Sequence, residues 1–379
     1  MKILLFANTD WYLYNFRLPL AHALREQGHQ VLLVSPRGKF HHHLTDAGFT
    51  WIPIDLSPKG LNPLQEIKTA RALLALYRQE KPHLVHHFTI KCVLYGSMAA
   101  RLSRVPAVVN AITGMGYVFI NQKPGARLLR WFVIQLYRLL LRRTRVIFQN
   151  PDDRQFFLDL KMVQPENTHV IMGSGVDCTL FTPLPEPDGT PVVTLPARML
   201  WDKGVGEFVA AARILKNDGI AARFVLVGAS DSDNPAAIAA AQLKAWEQEG
   251  LIEYWGFNDD IQGVLARTNL VCLPSYREGL PRILIEAAAC GRAQVTTNVP
   301  GCREVVQDGI NGLLVPARDA HALAEALRAL IEDPARRKEM AKRAREVAVN
   351  GFSTERVNRE TIQIYQQFQP PQGEGMPRG

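Results

Sequence analysis

The chain has 379 residues, of which 47% are hydrophobic and 21% are charged, a composition typical of a globular protein long enough for two domains. No apolar run reaches the roughly 18 residues of a membrane-spanning helix, and the apolar start at Met1 is too short for a signal peptide. The five cysteines are scattered without a C-x-x-C pair, which argues against a disulfide framework and a zinc site and favours a reducing cytoplasm.

The net charge of +8 is unevenly distributed along the chain. Residues 1–150 hold 20 Lys and Arg against 6 Asp and Glu, a balance of +14, whereas the remainder has a balance of −6. A basic half of this kind predicts an anionic partner, either a nucleic acid or a membrane surface.

The first half of the sequence alternates short apolar runs with helical patterns. This βαβ rhythm predicts an α/β fold with a doubly wound parallel sheet. The turn at residues 8–17 has no G-x-G-x-x-G, so it is not a dinucleotide fingerprint. Its aromatic residues suit either a sugar-binding platform or packing on the first helix. The predicted strands are 3–7, 31–35, 51–56, 84–88, 108–112 and 146–149, and the predicted helices are 16–27 and 64–79.

Residues 126–145 predict a long, basic, amphipathic helix. Arg127, Arg130, Arg138 and Arg142 recur at helical spacing on one stripe, and apolar and aromatic residues fill most of the remaining surface. Such a helix can lie in a membrane interface, or it can cover the first sheet with a solvated arginine stripe. The charge balance of the first half favours the membrane.

The second half repeats the α/β pattern after a Pro-, Asp- and Gly-rich stretch at 177–191. We therefore predict one domain at 1–180 and a second at 181–352, with a further helix at 353–369 and a disordered tail at 370–379. The predicted strands are 192–197, 224–227, 270–273, 294–297 and 313–315, and the predicted helices are 206–215, 236–249, 319–332, 334–349 and 354–368.

Two turns of the second half bring together charged residues. Arg198 and Lys203 follow the strand at 192–197, and Glu278 and Glu286 follow the strand at 270–273. Turns of this type open on the same edge of a parallel sheet, where such folds bind their ligands. Two cations and two carboxylates suit a ligand that has a central diphosphate and hydroxyl groups at both ends, such as a nucleotide sugar.

The second of these turns has the residues of an anion-binding helix start. Gly279 allows a close backbone approach, and Pro281 suits the first helical position, so the N–H groups of that helix start would face an anion. Glu286 lies in an otherwise apolar helix and therefore needs hydrogen-bond donors. It either forms a buried salt bridge or accepts hydrogen bonds from both hydroxyls of a ribose. The sequence favours neither alternative over the other.

These residues resemble a known family. The segment from Glu278 to Glu286 matches the E-x7-E motif of the family 4 retaining glycosyltransferases, Arg198 and Lys203 match the diphosphate-binding Arg/Lys pair of that family, and Gly173-Ser-Gly-Val-Asp177 resembles its "nGvD" segment. The resemblance covers roughly residues 1–369. It is strongest to enzymes that add a hexose or an N-acetylhexosamine to a sugar linked to undecaprenyl diphosphate.

The resemblance implies the GT-B fold, in which two Rossmann-like, doubly wound domains face a cleft, and the helix at 353–369 crosses back to the first domain. It also implies that Arg198 and Lys203 stabilise the leaving diphosphate, that Glu278 holds hydroxyls of the transferred sugar, and that Glu286 binds the ribose. The other donor-binding positions implied are Gly279, Leu280, Arg282, Gly256, Phe257, Asn258, Thr113 and Gly114. Many relatives have His at the position of Thr113, and a threonine cannot act there as a titrating base.

No metal or other cofactor is expected. Asp231-Ser-Asp233 is a D-x-D, but its context after a strand and before Asn234-Pro235 predicts a turn and a helix cap. The two cations at Arg198 and Lys203 can neutralise a diphosphate without a metal ion.

The predicted function is a retaining glycosyltransferase. It would transfer a sugar from a nucleotide donor, expected to be a UDP-sugar, to a lipid-linked saccharide. We expect a cytoplasmic protein that is peripheral on the inner face of the cell membrane and contacts anionic lipid through helix 126–145. A nucleotide-sugar epimerase of the same fold is the alternative enzyme. A nucleic-acid-binding protein is disfavoured because the arginine stripe does not belong to a recognisable nucleic-acid-binding motif.

Overall fold

The computed structural model describes residues 1–56, 63–115, 119, 124–230, 234 and 236–368. The chain divides into two compact units. One comprises Met1–Ser174 together with the chain from Glu355 onward, and the other comprises Gly175–Thr354. The division after Ser174 lies six residues before the boundary expected at 180/181, and the tail at 370–379 lies outside the described residues.

In the described part of the first unit, seven parallel strands form one sheet. Their order is β3-β2-β1-β4-β5-β6-β7, so the strand order reverses between β1 and β4. The prediction of a doubly wound parallel sheet is confirmed for this unit. The strands are β1 (Lys2–Phe6), β2 (Gln30–Ser35), β3 (Thr50–Pro53), β4 (Leu84–Phe88), β5 (Ala107–Ile112), β6 (Arg145–Phe148) and β7 (Thr168–Val170).

Two helices of this unit differ in extent from the predictions. The segment at 8–17, expected to be a turn, is mostly helical, because Thr9 caps α1 by accepting a hydrogen bond from the backbone N–H of Tyr12 at 3.0 Å. The helix expected at 126–145 ends at Leu140, where a backbone turn from Leu141 to Thr144 leads into β6. The helices are α1 (Asp10–Glu26), α2 (His41–Asp46), α3 (Pro63–Glu80), α4 (Ile90–Leu102), α5 (Pro124–Leu140) and α6 (Pro151–Asp159).

The described part of the second unit contains six parallel strands in the order β10-β9-β8-β11-β12-β13. The reversal of strand order falls between β8 and β11, which are paired. The doubly wound pattern is therefore confirmed here too, and the short strand β10 was not predicted. The strands are β8 (Val192–Pro196), β9 (Arg223–Val227), β10 (Glu253–Tyr254), β11 (Leu270–Leu273), β12 (Ala293–Thr297) and β13 (Gly312–Val315).

The helices of the second half cover both faces of this sheet, and the last helix returns to the first unit. Tyr365 and Ile362 of the last helix are buried in the core of the first unit, and the Tyr365 hydroxyl is hydrogen-bonded to Nδ1 of His86. The helices are α7 (Val205–Asn217), α8 (Ala240–Gln248), α9 (Ile261–Ala266), α10 (Arg282–Ala289), α11 (Ala320–Ile331), α12 (Pro334–Phe352) and α13 (Thr354–Gln366).

The segment that leads into the second unit is held by a carboxylate and by close backbone packing. Oδ1 of Asp177 accepts hydrogen bonds from the backbone N–H groups of Thr179 and Leu180 and from the Thr179 hydroxyl, and these bonds, led by that of the hydroxyl, lower the pKa of Asp177. Gly175 has a positive φ of +77°, and a Cβ there would lie 2.5 Å from Cα of Thr354. The "nGvD" segment therefore has a structural role in this turn.

Within the described residues, no helix is both long and apolar enough to cross a bilayer. The same residues contain no cluster of three or more His, Cys, Asp or Glu side chains arranged to hold a metal ion. Asp231 and Asp233 lie outside the described residues.

Candidate active site

The candidate site lies where the strand order of the second sheet reverses. The turn after β8 leads through Arg198 and Lys203 into α7, and the turn after β11 leads through Glu278 into α10. Because β8 and β11 are neighbouring parallel strands, both turns emerge at the same edge of the sheet. This is the position at which open α/β sheets bind ligands.

Backbone contacts tie the two turns to each other. The backbone N–H of Tyr276 donates to the carbonyl of Asp202 at 2.9 Å, and the Ser275 hydroxyl donates to the same carbonyl at 3.2 Å. Gly204, with a φ of +72°, packs so closely on the other turn that a Cβ would lie 2.0 Å from the carbonyl oxygen of Pro274. The relative position of the two turns therefore depends on main-chain atoms and on the absence of a side chain at residue 204.

This arrangement brings Lys203 and Glu278 into direct contact. Nζ of Lys203 forms an ion pair with Oε1 of Glu278, and both side chains are largely buried. The resemblance to the family 4 enzymes implies that these residues act on different parts of a ligand, Lys203 on the diphosphate and Glu278 on the sugar. Each of the two groups neutralises the other, so an anion that binds here would have to compete with Glu278 for the Lys203 ammonium group.

Arg198 has a different environment. Its side chain is exposed, and no carboxylate among the described residues pairs with its guanidinium group. An exposed guanidinium at the end of β8 can bind a phosphate through two parallel hydrogen bonds without first losing an internal partner.

Glu286 is buried on α10, as its apolar surroundings in the sequence predicted. Nε of Arg282 donates to Oε1 of Glu286 at 2.7 Å, so the buried salt bridge, one of the two alternatives, is present. Burial raises the pKa of the Glu286 carboxyl, and the neighbouring guanidinium of Arg282 partly opposes this shift. A role of Glu286 in ribose binding stays a prediction.

The start of α10 differs in one detail from the prediction. Pro281 is the N-cap residue, with an extended backbone, and the helix begins at Arg282. The reason is that Pro281 has a ψ of 104°, which lies outside the helical range. Gly279 and Leu280 precede it and are half-buried.

Several residues that support the Glu278 turn were not predicted. The Tyr276 hydroxyl donates to Oε1 of Glu207 at 2.7 Å, and the Arg318 guanidinium lies 4.5 Å from the centre of the Tyr276 ring. Burial, followed by the hydrogen bond to Glu207, raises the pKa of Tyr276 to about 12. A Cβ at Gly301 would lie 2.7 Å from the carbonyl oxygen of Glu278. The Pro300-Gly301 pair is a turn signal that could have identified this contact.

The segment 256–258, which the resemblance implies in donor binding, lies at the same sheet edge, after β10. Gly256 has a φ of +68°, and its carbonyl accepts a hydrogen bond from the backbone N–H of Gly228 at 2.8 Å. Phe257 is exposed, and the Asn258 side chain accepts a hydrogen bond from the backbone N–H of Asp260. Gly228 was not predicted as a site residue, although a Cβ there would lie 1.8 Å from the Ala197 carbonyl.

Thr113 and Gly114 belong to the first unit, where they directly follow β5. Gly114 has a φ of +147°, which favours glycine. Their assignment to donor binding stays a prediction, and the neighbouring Gly116 and Tyr117 lie outside the described residues.

Comparison of whole structures shows the class of fold. HepE from Anabaena, crystallised in complex with UDP, aligns with a TM-score of 0.78 at 19% identity, covering 97% of this chain and 100% of that one. Sucrose-phosphate synthase from Thermosynechococcus elongatus aligns with a TM-score of 0.78 at 21% identity, covering 97% and 99%. The fold is GT-B, as expected.

Sequence comparison then shows the family. Residues 179–347 match the model described as "Glycosyl transferases group 1", and residues 2–150 match "Glycosyl transferase 4-like". The chain belongs to these glycosyltransferases.

Two relatives resemble the chain over most of its length. It is 29% identical over 363 residues to the N,N'-diacetylbacillosaminyl-diphospho-undecaprenol alpha-1,3-N-acetylgalactosaminyltransferase of Campylobacter jejuni, covering 92% of this chain and 94% of the relative. It is 26% identical over 308 residues to the UDP-Gal:alpha-D-GlcNAc-diphosphoundecaprenol alpha-1,3-galactosyltransferase of Escherichia coli, covering 78% of each.

The contact at Gly204 leads to a testable prediction. Gly204→Ala is expected to destabilise the second unit and to lower activity, because the new methyl group would collide with the Pro274 carbonyl and separate the two turns. Gly219→Ala is the matched control, since Gly219 has a similar φ of +75° but no atom within 4 Å of the added Cβ. The control should show only the backbone cost, roughly 1–2 kcal/mol.

The measurement is urea denaturation together with the transfer rate for both variants. Equal losses of stability with unchanged transfer activity in both would contradict the steric role of Gly204.

Proposed function

We propose that this glycosyltransferase moves a hexose or an N-acetylhexosamine from a UDP-sugar to a saccharide linked to undecaprenyl diphosphate, with retention of anomeric configuration and without a metal ion. The observation that carries the proposal is the position of Arg198, Lys203 and Glu278 at the strand-order reversal of the second sheet. The names of the two relatives, both of which act on diphospho-undecaprenol-linked sugars, support the acceptor class.

The donor class is supported by chemistry and by the structural neighbours. HepE has been crystallised with UDP and with UDP-glucose. In this chain Arg198 would bind the diphosphate bidentately, and the Lys203 ammonium group would supply a second, compact positive charge. Both positive charges would stabilise the negative charge that develops on the leaving UDP. Stabilisation of developing charge in the transition state is usually the largest electrostatic contribution to catalysis.

The Lys203–Glu278 ion pair implies an order of contacts during the reaction. A diphosphate draws the Lys203 ammonium group toward itself, and the Glu278 carboxylate is then available to accept hydrogen bonds from hydroxyls of the transferred sugar. These bonds strengthen as the sugar ring flattens and becomes positively charged. The bond from the anomeric carbon to UDP breaks, the acceptor oxygen bonds to the same face, and the acceptor proton passes to the departing phosphate oxygen.

The paired carboxylates are expected to have separable roles. Glu286→Ala should weaken UDP binding by about 1–3 kcal/mol, the usual effect of losing one buried hydrogen-bonding group. Glu278→Ala should lower turnover more than it raises the donor KM, because its contacts with the sugar tighten in the transition state and because its loss also leaves Lys203 free for the diphosphate.

Calorimetry with UDP and steady-state kinetics provide the measurement for both variants. Glu249→Ala is the control, since Glu249 forms an exposed ion pair with Arg213 on the same unit. The opposite pattern, with UDP affinity lost in Glu278→Ala and turnover lost in Glu286→Ala, would show that the two roles are exchanged.

Metal removal is the second test of the chemistry. Because Arg198 and Lys203 supply the positive charge, transfer activity should survive dialysis against EDTA. Activity that disappears with EDTA and returns with manganese or magnesium would refute the metal-free proposal and would implicate Asp231 and Asp233.

The proposal also places the protein on the inner face of the cell membrane, through α5. One face of α5 is buried through Val133, Tyr137 and Leu140, whereas Leu128, Trp131, Phe132 and Leu139 are exposed. A groove of about 880 Å³ lies beside the end of α5, and no Asp or Glu is among the described residues that line it. Its arginines are Arg101, Arg104, Arg138, Arg142 and Arg143.

The arginines of this region do not all serve the same purpose. Arg138 donates two hydrogen bonds to the Leu160 carbonyl, and Arg101 donates one to the Leu139 carbonyl, so both help to hold the helix ends. No ion pair is found for Arg127, Arg142 or Arg143 in the described part of the chain. Exposed aromatic and leucine side chains beside such cations are typical of a helix that lies in a lipid interface.

A triple variant tests the membrane contact. Arg127, Arg142 and Arg143 changed to Gln should weaken binding to phosphatidylglycerol vesicles by on the order of a hundredfold at low salt, since each basic residue contributes about 1 kcal/mol. Binding should fall with added salt. Co-sedimentation is the measurement, and Arg37, Arg71 and Arg78 changed to Gln provide a control with the same loss of charge. Equal binding of both triple variants, or preferential binding to RNA, would contradict the proposal.

A further inference from the structure

One buried arginine of the first unit lacks the partners that the other buried arginines have. Of the arginines that the structure describes, three are buried: Arg17, Arg292 and Arg337. Nη2 of Arg337 pairs with Glu186 at 2.8 Å, and its Nη1 donates to the Leu330 carbonyl. The nitrogens of Arg292 donate to backbone carbonyl groups, those of Leu265, Leu184 and Pro185. Arg17 forms a single hydrogen bond to the part of the chain that the structure describes.

That bond joins Nη2 of Arg17 to the Tyr12 hydroxyl at 2.9 Å. The guanidinium plane also stacks on Phe88, with Cζ 4.3 Å from the ring centre. Nε of Arg17 is buried and has no partner among the described residues. Tyr12 and Phe88 therefore hold the guanidinium in place without neutralising it.

The nearby acidic and titratable groups do not compensate this charge. Asp10, a buried carboxylate on the same helix, accepts hydrogen bonds from the backbone N–H groups of Trp11, Gly38 and Phe40 instead. Burial, followed by the nearby charge of Arg17, lowers the pKa of His86 well below its usual range, so His86 is neutral. His86 and Tyr365 are thus neutral groups beside a buried cation.

One ring nitrogen of His86 also has no hydrogen-bond partner among the described residues. Its Nδ1 is hydrogen-bonded to the Tyr365 hydroxyl, whereas its Nε2 is buried and has no partner among the described residues. Burial raises the pKa of Tyr365, which therefore keeps its proton. With Tyr365 as the donor to Nδ1, Nε2 of His86 carries the ring proton and can donate to a ligand.

The location also indicates a ligand. Phe88 is the last residue of β4, which pairs with β1 where the strand order of the first sheet reverses. Ligands of open α/β sheets bind at this position. The next residue, Thr89, has a φ of +73°, a strained conformation for a β-branched residue, and such strain concentrates at functional sites. A buried cation without a counter-ion is unfavourable for folding, so its retention here needs a functional reason.

We propose that Arg17 binds a phosphate group of the acceptor, with Nε2 of His86 as a second hydrogen-bond donor and Tyr12 as the residue that positions the guanidinium. This inference rests on the proposed lipid-linked acceptor, which carries a diphosphate. The guanidinium fork matches two phosphate oxygens, and the bond would be strengthened by its buried surroundings. The donor diphosphate is served by Arg198 and Lys203 of the second unit.

The variant Arg17→Met, in the full-length protein, separates this role from a structural one. Removing a buried charge without a counter-ion should leave the melting temperature of the ligand-free protein unchanged or higher. Arg337→Met is the matched control, because it leaves Glu186 buried without its partner and should lower the melting temperature. A melting temperature of Arg17→Met that falls as far as that of Arg337→Met would make Arg17 a structural residue and overturn the proposal.

Kinetics on two acceptors test the ligand. The KM for a sugar linked to a short-chain prenyl diphosphate should rise roughly 10- to 100-fold in Arg17→Met, whereas the KM for the same sugar as a simple alkyl glycoside should not change. Arg17→Lys, which keeps the charge but not the planar fork, should recover part of the loss. Equal losses on both acceptors, or a loss of UDP affinity, would contradict phosphate binding by Arg17.

A binding measurement keeps this test independent of the proposed reaction. Inorganic pyrophosphate is titrated calorimetrically into the protein saturated with UDP, so that the donor site is occupied. Wild-type protein should bind it and Arg17→Met should not, even if neither acceptor supports transfer. If wild type binds pyrophosphate and Arg17→Met does not, but neither protein transfers sugar to the tested acceptors, only the proposed acceptor saccharide is contradicted. Equal pyrophosphate binding by both proteins would refute the Arg17 site.

Discussion

The candidate active site depends on two backbone contacts that join its two turns. Gly204 lies against the Pro274 carbonyl, and the N–H of Tyr276 is bonded to the carbonyl of Asp202. Main-chain contacts of this kind do not vary with side-chain rotamers, so the separation of the backbone at Lys203 from the backbone at Glu278 does not depend on a ligand. Electrostatic stabilisation of a transition state requires such preorganisation, because groups that must reorganise during the reaction lose much of their effect.

Supporting contacts extend this rigidity outward from the two turns. The Tyr276 hydroxyl is anchored on Glu207 at the start of α7, and Arg318 covers the face of its ring. Gly301 allows the turn after β12 to contact the Glu278 backbone. Three strand ends of the sheet thus support one carboxylate.

The charged side chains at the strand-order reversals of the two sheets differ in how they are paired. In the second unit Lys203 and Glu278 neutralise each other, and Glu286 is paired with Arg282, so each of these four charged side chains has an internal partner of opposite charge. In the first unit Arg17 is held by Tyr12 and Phe88, and no carboxylate of the described residues pairs with it. Both arrangements lie at the strand-order reversal of their own sheet, where the ends of neighbouring strands diverge and leave room for a ligand.

The sequence by itself determined the fold class, most of the strands and the positions of the charged residues, because apolar runs, helical periodicity and glycine-containing turns are local signals. The extent of α1 was underestimated because the cap at Thr9 was hidden in an aromatic segment, and α5 was overestimated because its arginine spacing continued past Leu140. Only the tertiary structure decided that Lys203 pairs with Glu278, that the Tyr276 hydroxyl is bonded to Glu207, and that Arg17 has no counter-ion among the described residues. Residues 203 and 278, like 17 and 88, are far apart in the chain, and their contact follows from the order in which the parallel strands assemble, which no local pattern specifies.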